Sequence, residues 1–130
     1  MIGLDTSAII DLFKGDESIG KFFKKNKEPL ATTIMSYLEL SFGLNPEDRE
    51  HNIEEQYYDE FFNDIFLIHL TKDSCKKASQ IHWDLKKKGT TIDKFDCIIA
   101  ATLVTHGIKK ILTRNTKHFS WIKQLQVISY

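Results

Sequence analysis

An α/β fold built on a parallel sheet is what this sequence predicts, and three observations predict it. Five short apolar runs, MIGL, LATTI, IFLIHL, KKILT and QVISY, are spread along the chain. Segments with helical periodicity or turn chemistry separate them. No linker, repeat or low-complexity tract divides the 130 residues, which predicts one domain over residues 1–130. Short apolar strands alternating with helices make a parallel sheet covered on both faces. In such sheets ligands collect at the carboxyl ends of strands, near the point where strand order reverses.

The elements follow in order. Met1 to Leu4 reads as a short buried strand ending at Asp5. DTSAIIDLF then opens a helix for which Asp5, Thr6 and Ser7 are all competent caps. Gly15 and Asp16 break it, and ESIGKFFKK is a second helical stretch that Pro29 stops. LATTI is the second strand. A helix from about Met35 to Leu44 closes at Gly43 to Pro46. Ile53, Tyr57, Tyr58, Phe61, Phe62 and Ile65 recur at helical spacing in the next, acidic segment. IFLIHL, residues 65–70, is apolar enough for a strand buried on both faces. Asp73 or Ser74 can cap the following helix, whose apolar face is Cys75, Ala78, Ile81, His82 and Leu85. It ends in LKKKG, with lysines where the helix dipole favours positive charge. DKFDCIIAATLVTHG is the last long helix. KKILT, a turn or short helix at RNTKHF, and QVISY complete the chain.

Composition narrows the function classes. No apolar stretch reaches the roughly 18 residues of a membrane span. The start, MIGLDTSAII, lacks the basic opening and cleavage site of a signal peptide, so a cytoplasmic protein is expected. Cys75 and Cys97 show no metal-type spacing and read as reduced thiols. The histidines at 51, 69, 82, 106 and 118 show no zinc spacing, and there is no glycine-rich phosphate loop. Net charge is zero, with 18 acids and 18 bases, but the charges are segregated. Residues 46–64 hold eight acids and one base, leaving 18 − 8 = 10 acids and 18 − 1 = 17 bases elsewhere, a net of +7. That basic remainder is compatible with a phosphate-backbone partner. Trp83 lies about 80° beyond the apolar arc of its helix, a position that fits either an interface or partial cover by a loop.

Three acids stand out by position. Asp5 follows the first strand, where it can cap the next helix or serve a site. Counting 100° per residue, Met35, Leu38 and Phe42 lie at about 0°, 300° and 340°, and Glu39 at about 40°. Glu39 therefore borders the expected apolar face and calls for a salt bridge, access to water, or a metal. Asp96 comes three residues after Asp93. If Asp93 caps the helix, Asp96 occupies the third helical position, where acids are common without any chemistry. Three carboxylates from separate segments, each beside a strand end, are the oxygen donors that a hard cation such as Mg²⁺ or Mn²⁺ requires.

LDTSAIID, YLEL and DCIIAATLVTHGIKKILTRNTKHF together resemble the PIN-domain family, over nearly the whole chain. The length and order of elements are similar to those of VapC-type toxins, the nuclease half of toxin–antitoxin pairs. The resemblance implies a three-layer α/β/α fold around a parallel sheet. It implies a ribonuclease using Mg²⁺ or Mn²⁺, with Asp5, Glu39 and Asp96 as metal-binding and catalytic acids. Thr6 and Thr113 match hydroxyl positions that support the site in relatives. Asn115 stands where many members carry a fourth acid; it offers an oxygen but no charge. Asp93 is either the helix cap or the group that makes up for that missing charge. Lysines and Arg114 near the carboxyl edge offer positive charge to an RNA backbone. An antitoxin partner and a homodimer are further implications, and the acidic segment 46–64 is then either an amphipathic surface helix or a docking face. Two rivals stand beside this reading: a PIN domain that binds RNA or protein without efficient cleavage, and a receiver-like or nucleotide-binding α/β module.

Overall fold

A computed structural model describes residues 1–130. Its elements are β1 (Ile2–Leu4), α1 (Thr6–Phe13), α2 (Glu17–Lys25), β2 (Leu30–Thr33), α3 (Ile34–Phe42) and α4 (Arg49–Asp64). They continue with β3 (Phe66–Ile68), α5 (Lys72–Lys87), α6 (Lys94–Thr105), β4 (Lys110–Leu112), α7 (Thr116–Ser120) and β5 (Gln126–Ile128). The five strands form one parallel sheet in the order β3-β2-β1-β4-β5. The chain builds outward from β1 to β2 and β3, then returns to lay β4 on the other side of β1. Strand order therefore reverses between β1 and β4.

Side chains alternate across the sheet and define two apolar layers. Ile2, Leu4 and Leu112 face Ala8 and Ile9 of α1, Ile19 of α2, Leu40 of α3, and Tyr58 and Phe62 of α4. Ala31, Ile68 and Ile111 face Ala78, Ile81 and Leu85 of α5, the apolar residues of α6, and Phe119 of α7. The three-layer α/β/α architecture expected from sequence is the one observed. Gly3, between Ile2 and Leu4, points into the second layer, where a Cβ would lie 2.6 Å from both Leu103 methyl carbons. The Leu103 side chain of α6 occupies the space that a side chain at position 3 would need.

Three details differ from the sequence expectations. β3 is an edge strand of three residues, with Phe66 58% exposed, rather than a strand buried on both faces. An apolar run reads the same at an edge as at the centre, because the run does not record its neighbours. Helix α5 is capped by Thr71, whose hydroxyl accepts from the Ser74 N–H at 3.1 Å, not by Asp73 or Ser74. On α3, Leu38 and Phe42 are exposed (39% and 72%), while Met35, Ser36 and Leu40 are buried. The periodicity correctly marked an apolar stripe but placed it on the core.

Candidate metal and phosphodiester site

The acids meet at the reversal of strand order. Asp5 leaves β1 in extended conformation and caps α1, accepting from the Ala8 N–H at 2.9 Å. It is also 2% exposed. Its second oxygen accepts from the Thr113 hydroxyl at 2.6 Å, just past the end of β4, and Ser7 Oγ lies 2.8 and 2.9 Å from the two oxygens. Capping and site membership are therefore compatible in one side chain. Burial pushes the Asp5 carboxyl up from its ordinary value, against the lowering effect of Thr113, Ala8, Ser7 and the Arg114 charge.

Glu39 sits half-buried on α3, tied to α1 by the Thr6 hydroxyl, which donates to Oε1 at 2.6 Å. Burial raises its carboxyl, as do the charges of Asp93 and Asp5 against the Thr6 hydrogen bond. Of the alternatives open for Glu39, a salt bridge is absent. Asp93 caps α6, accepting from the Phe95 N–H at 2.8 Å, and Asp96 lies one turn inside. Burial pushes Asp96 up to about 7, with the charges of Asp5, Glu39 and Asp93 adding to it. Asp93 starts the helix, and its charge raises Glu39 and Asp96.

Asn115 stands at the start of α7, exposed, its side chain making no capping hydrogen bond. Its N–H donates to Thr113 Oγ1 at 2.9 Å, which holds the hydroxyl that serves Asp5. Thr6 and Thr113 accordingly each support an acid, one on either side of the group.

Asp93 and Asp5 raise Glu39 by charge, Asp5, Glu39 and Asp93 raise Asp96, and Arg114 is the only base acting on the three raised acids, so the group is an anionic site with little compensation. No three His, Cys, Asp or Glu side chains close on a common point as a ready-made cage. The donors are all carboxylate oxygens, which suits a hard cation that keeps several of its own waters rather than one wrapped by protein.

Sequence reasoning missed Ser7, Asp11 and Tyr130. Ser7 entered only as a possible cap, yet its hydroxyl bridges Asp5 and the Arg114 N–H, which donates to it at 3.0 Å. Asp11 is an acid inside the apolar stretch AIIDLF, and that oddity was a signal available in the sequence. Its partners Arg114 and Tyr130 lie 103 and 119 residues away, so nothing local could name them. Trp83 is 53% exposed, with Lys86 Nζ 4.9 Å from its ring, and it borders an apolar pocket between α5 and α6 that none of the acids lines.

A parallel sheet ordered 3-2-1-4-5, with acids gathered at its reversal point, defines a class, and the chain belongs to the PIN domain family, which it matches over residues 2–123. Among individual proteins it is similar to Ribonuclease VapC1 of Rickettsia felis, 29% identical over 128 residues that cover 97% of this chain and 93% of that one. It is also similar to Ribonuclease VapC1 of Methanocaldococcus jannaschii, 28% identical over 131 residues, 98% of this chain and 85% of that one. Its fold is shared with a chain of a toxin–antitoxin complex from Klebsiella pneumoniae, with a TM-score of 0.77 and 23% identity over 98% of this chain and 96% of that one.

Proposed function

We propose that this protein is a divalent-metal-dependent endoribonuclease and the toxin of a toxin–antitoxin pair. The observation that carries the reading is the crowding of Asp5, Glu39, Asp93 and Asp96 at the β1–β4 reversal, with so little positive charge to offset it. The two relatives named as ribonucleases, and the shared fold with a chain of a toxin–antitoxin complex, support it.

In this reading Asp5 and Asp96 would hold the ion, Mg²⁺ or Mn²⁺, which would supply a water of lowered pKa and positive charge to offset the phosphate. Thr113, Ser7 and the Ala8 N–H hold the Asp5 carboxylate in one orientation, leaving little freedom to lose on binding. Glu39 Oε1 is fixed by Thr6, so its other oxygen is set to orient the attacking water. Hydrolysis forms a bond from the water oxygen to phosphorus, breaks one P–O ester bond, and passes a proton from the water to the leaving oxygen. Asp96→Asn keeps the shape and removes the charge. Purified protein is expected to cut single-stranded RNA with Mn²⁺ or Mg²⁺, and the variant to lose at least about 100-fold, the scale of losing one electrostatic group at a reacting centre. Equal cleavage by the two proteins sinks the assignment.

Asn115 favours a second reading, a PIN domain that binds RNA or protein and cuts it poorly, because the exposed amide brings no fourth charge. Calorimetry separates the two: heat of Mn²⁺ binding that Asp96→Asn abolishes supports the nuclease, and no heat at millimolar Mn²⁺ supports the rival.

The partner side of the proposal has surfaces to use. Helix α4 buries Tyr58 and Phe62 but exposes Ile53 and Tyr57, which suits an antitoxin docking on the acidic helix. Leu38 and Phe42 on α3 give the proposed homodimer an apolar face. No helix is long and apolar enough to cross a membrane.

A further inference from the structure

Asp11 is buried on α1, 6% exposed, and both its oxygens are taken. Arg114 Nη1 donates to Oδ1 at 2.6 Å, and the Tyr130 hydroxyl donates to Oδ2 at 2.5 Å. Burial and the Asp11 carboxylate hold the Tyr130 phenol well above its ordinary value, so it remains a donor throughout the working range. The asymmetry of the pair is informative. The Asp11 side chain is 9% exposed and the Arg114 side chain 55%.

Arg114 is instead fastened at two points and left open at its tip. Its main-chain N–H donates to Ser7 Oγ, which is bonded to Asp5, and its guanidinium is anchored by one nitrogen to Asp11. That anchor is the only hydrogen bond its side chain makes. A guanidinium carries five N–H donors in a rigid fork, so most of them are unused and face solvent. Through Ser7 its main chain lies two hydrogen bonds from the Asp5 carboxylate, which sets the residue beside the acids.

We propose that Arg114 grips the phosphodiester that lies against the carboxylates, and that Asp11 and Tyr130 are positioning residues that hold it there. This rests on the nuclease reading above. The physical case is preorganisation. A free arginine loses rotamer freedom when it binds phosphate, whereas this one is already immobilised and keeps the donors a phosphate takes two at a time. Tyr130 fixes the second oxygen of Asp11, so the carboxylate cannot rotate and carry the guanidinium away.

The test is RNA binding, read without cleavage. Fluorescence anisotropy with a labelled single-stranded RNA, in the Asp96→Asn background and without divalent ions, gives Kd across a KCl series. Arg114→Ala is expected to raise Kd by about tenfold or more, the scale of a charge-assisted hydrogen bond. It also flattens the slope of log Kd against log salt by about 0.7, the share of one phosphate contact on a single strand. Arg114→Lys restores the slope but not the affinity, because an ammonium has charge without the fork. Tyr130→Phe keeps the slope and raises Kd several-fold, a change that loss of fold stability alone would not produce in folded protein. Because Arg114→Ala leaves Asp11 buried without a countercharge, the pair Asp11→Asn with Arg114→Ala serves as the variant that folds, and the same flattened slope is expected. Unchanged Kd and slope in the arginine variants, or no binding by the Asp96→Asn parent at low salt, overturns the proposal; unchanged binding by Tyr130→Phe overturns its positioning half. Failure of the wild-type chain to cut RNA with Mn²⁺ overturns the nuclease reading instead, and the salt slopes still decide the arginine.

Discussion

Asp96 feels three other carboxylates at once, and its titration carries that crowding into measurable quantities. Its carboxyl is raised to about 7 from an ordinary 3.8, so the folded chain holds this proton more tightly than the unfolded one. The stability that follows is fully present below pH 3.8 and is lost as the pH rises through about 7. Asp5 and Glu39 are raised too and act in the same direction. Asp96→Asn removes the repulsion, so without divalent ions the variant should melt higher than the parent at pH 8. The gap should close by about pH 4 in a thermal-shift series, since both side chains are then neutral. The same proton competes with a cation. Calorimetric Mn²⁺ affinity should fall by up to about tenfold per pH unit below about 7, as expected for one obligatory deprotonation. Thr113→Val makes a separate prediction. It deletes the 2.6 Å hydrogen bond to Asp5 inside the core, at a cost of about 1.5–3 kcal/mol read from urea unfolding at pH 7.5.

Helix α6 is the element on which the site depends most, because it brings Asp96 to Asp5 while packing against β1. That packing needs Gly3. Gly3→Ala puts a Cβ 2.6 Å from the Leu103 methyl carbons, so the fully buried Leu103 side chain must shift. The cost should be about 1–3 kcal/mol, seen as a lowered urea midpoint, with Leu103→Val in the same chain recovering part of it. Element by element, what the sequence made legible was decided locally. Asp93 as cap and Asp96 one turn in were readable because a cap and its helix adjoin. The exposure of Leu38 and Phe42 was not, because a helical period says which residues share a face and not what that face meets. Thr71 escaped notice beside Asp73 and Ser74 because three neighbouring residues could all cap, and the backbone decides among them. Asp5, Glu39 and Asp96 were singled out by strand ends and a family resemblance, and the proposed site rests on them. Asp11 and its distant partners were invisible until the fold brought them together.

For the whole molecule, apolar burial is divided between two layers, and the acids gather at the carboxyl end of the sheet beside its central strand β1. A cation that binds only the folded chain stabilises it by mass action, about 2.7 kcal/mol at 100 times its Kd. Thermal unfolding should therefore move upward with Mn²⁺ at pH 8, and the Asp96→Asn protein should be indifferent to it. The arrangement of strands also sets an order of assembly. β1 can pair with β2 as soon as the first 33 residues are available, since Leu4 lies beside Thr32. Its other edge waits for β4, with Leu4 beside Leu112, across 108 residues of chain. A ribosome delivers the chain from its amino end, and pairings this distant in sequence close late. A half-made chain therefore displays Asp5 and Glu39 with neither Asp96 nor Thr113 to complete them. For the proposed nuclease, synthesis itself would act as a delay: the acids could not work together until nearly all of the chain has been translated.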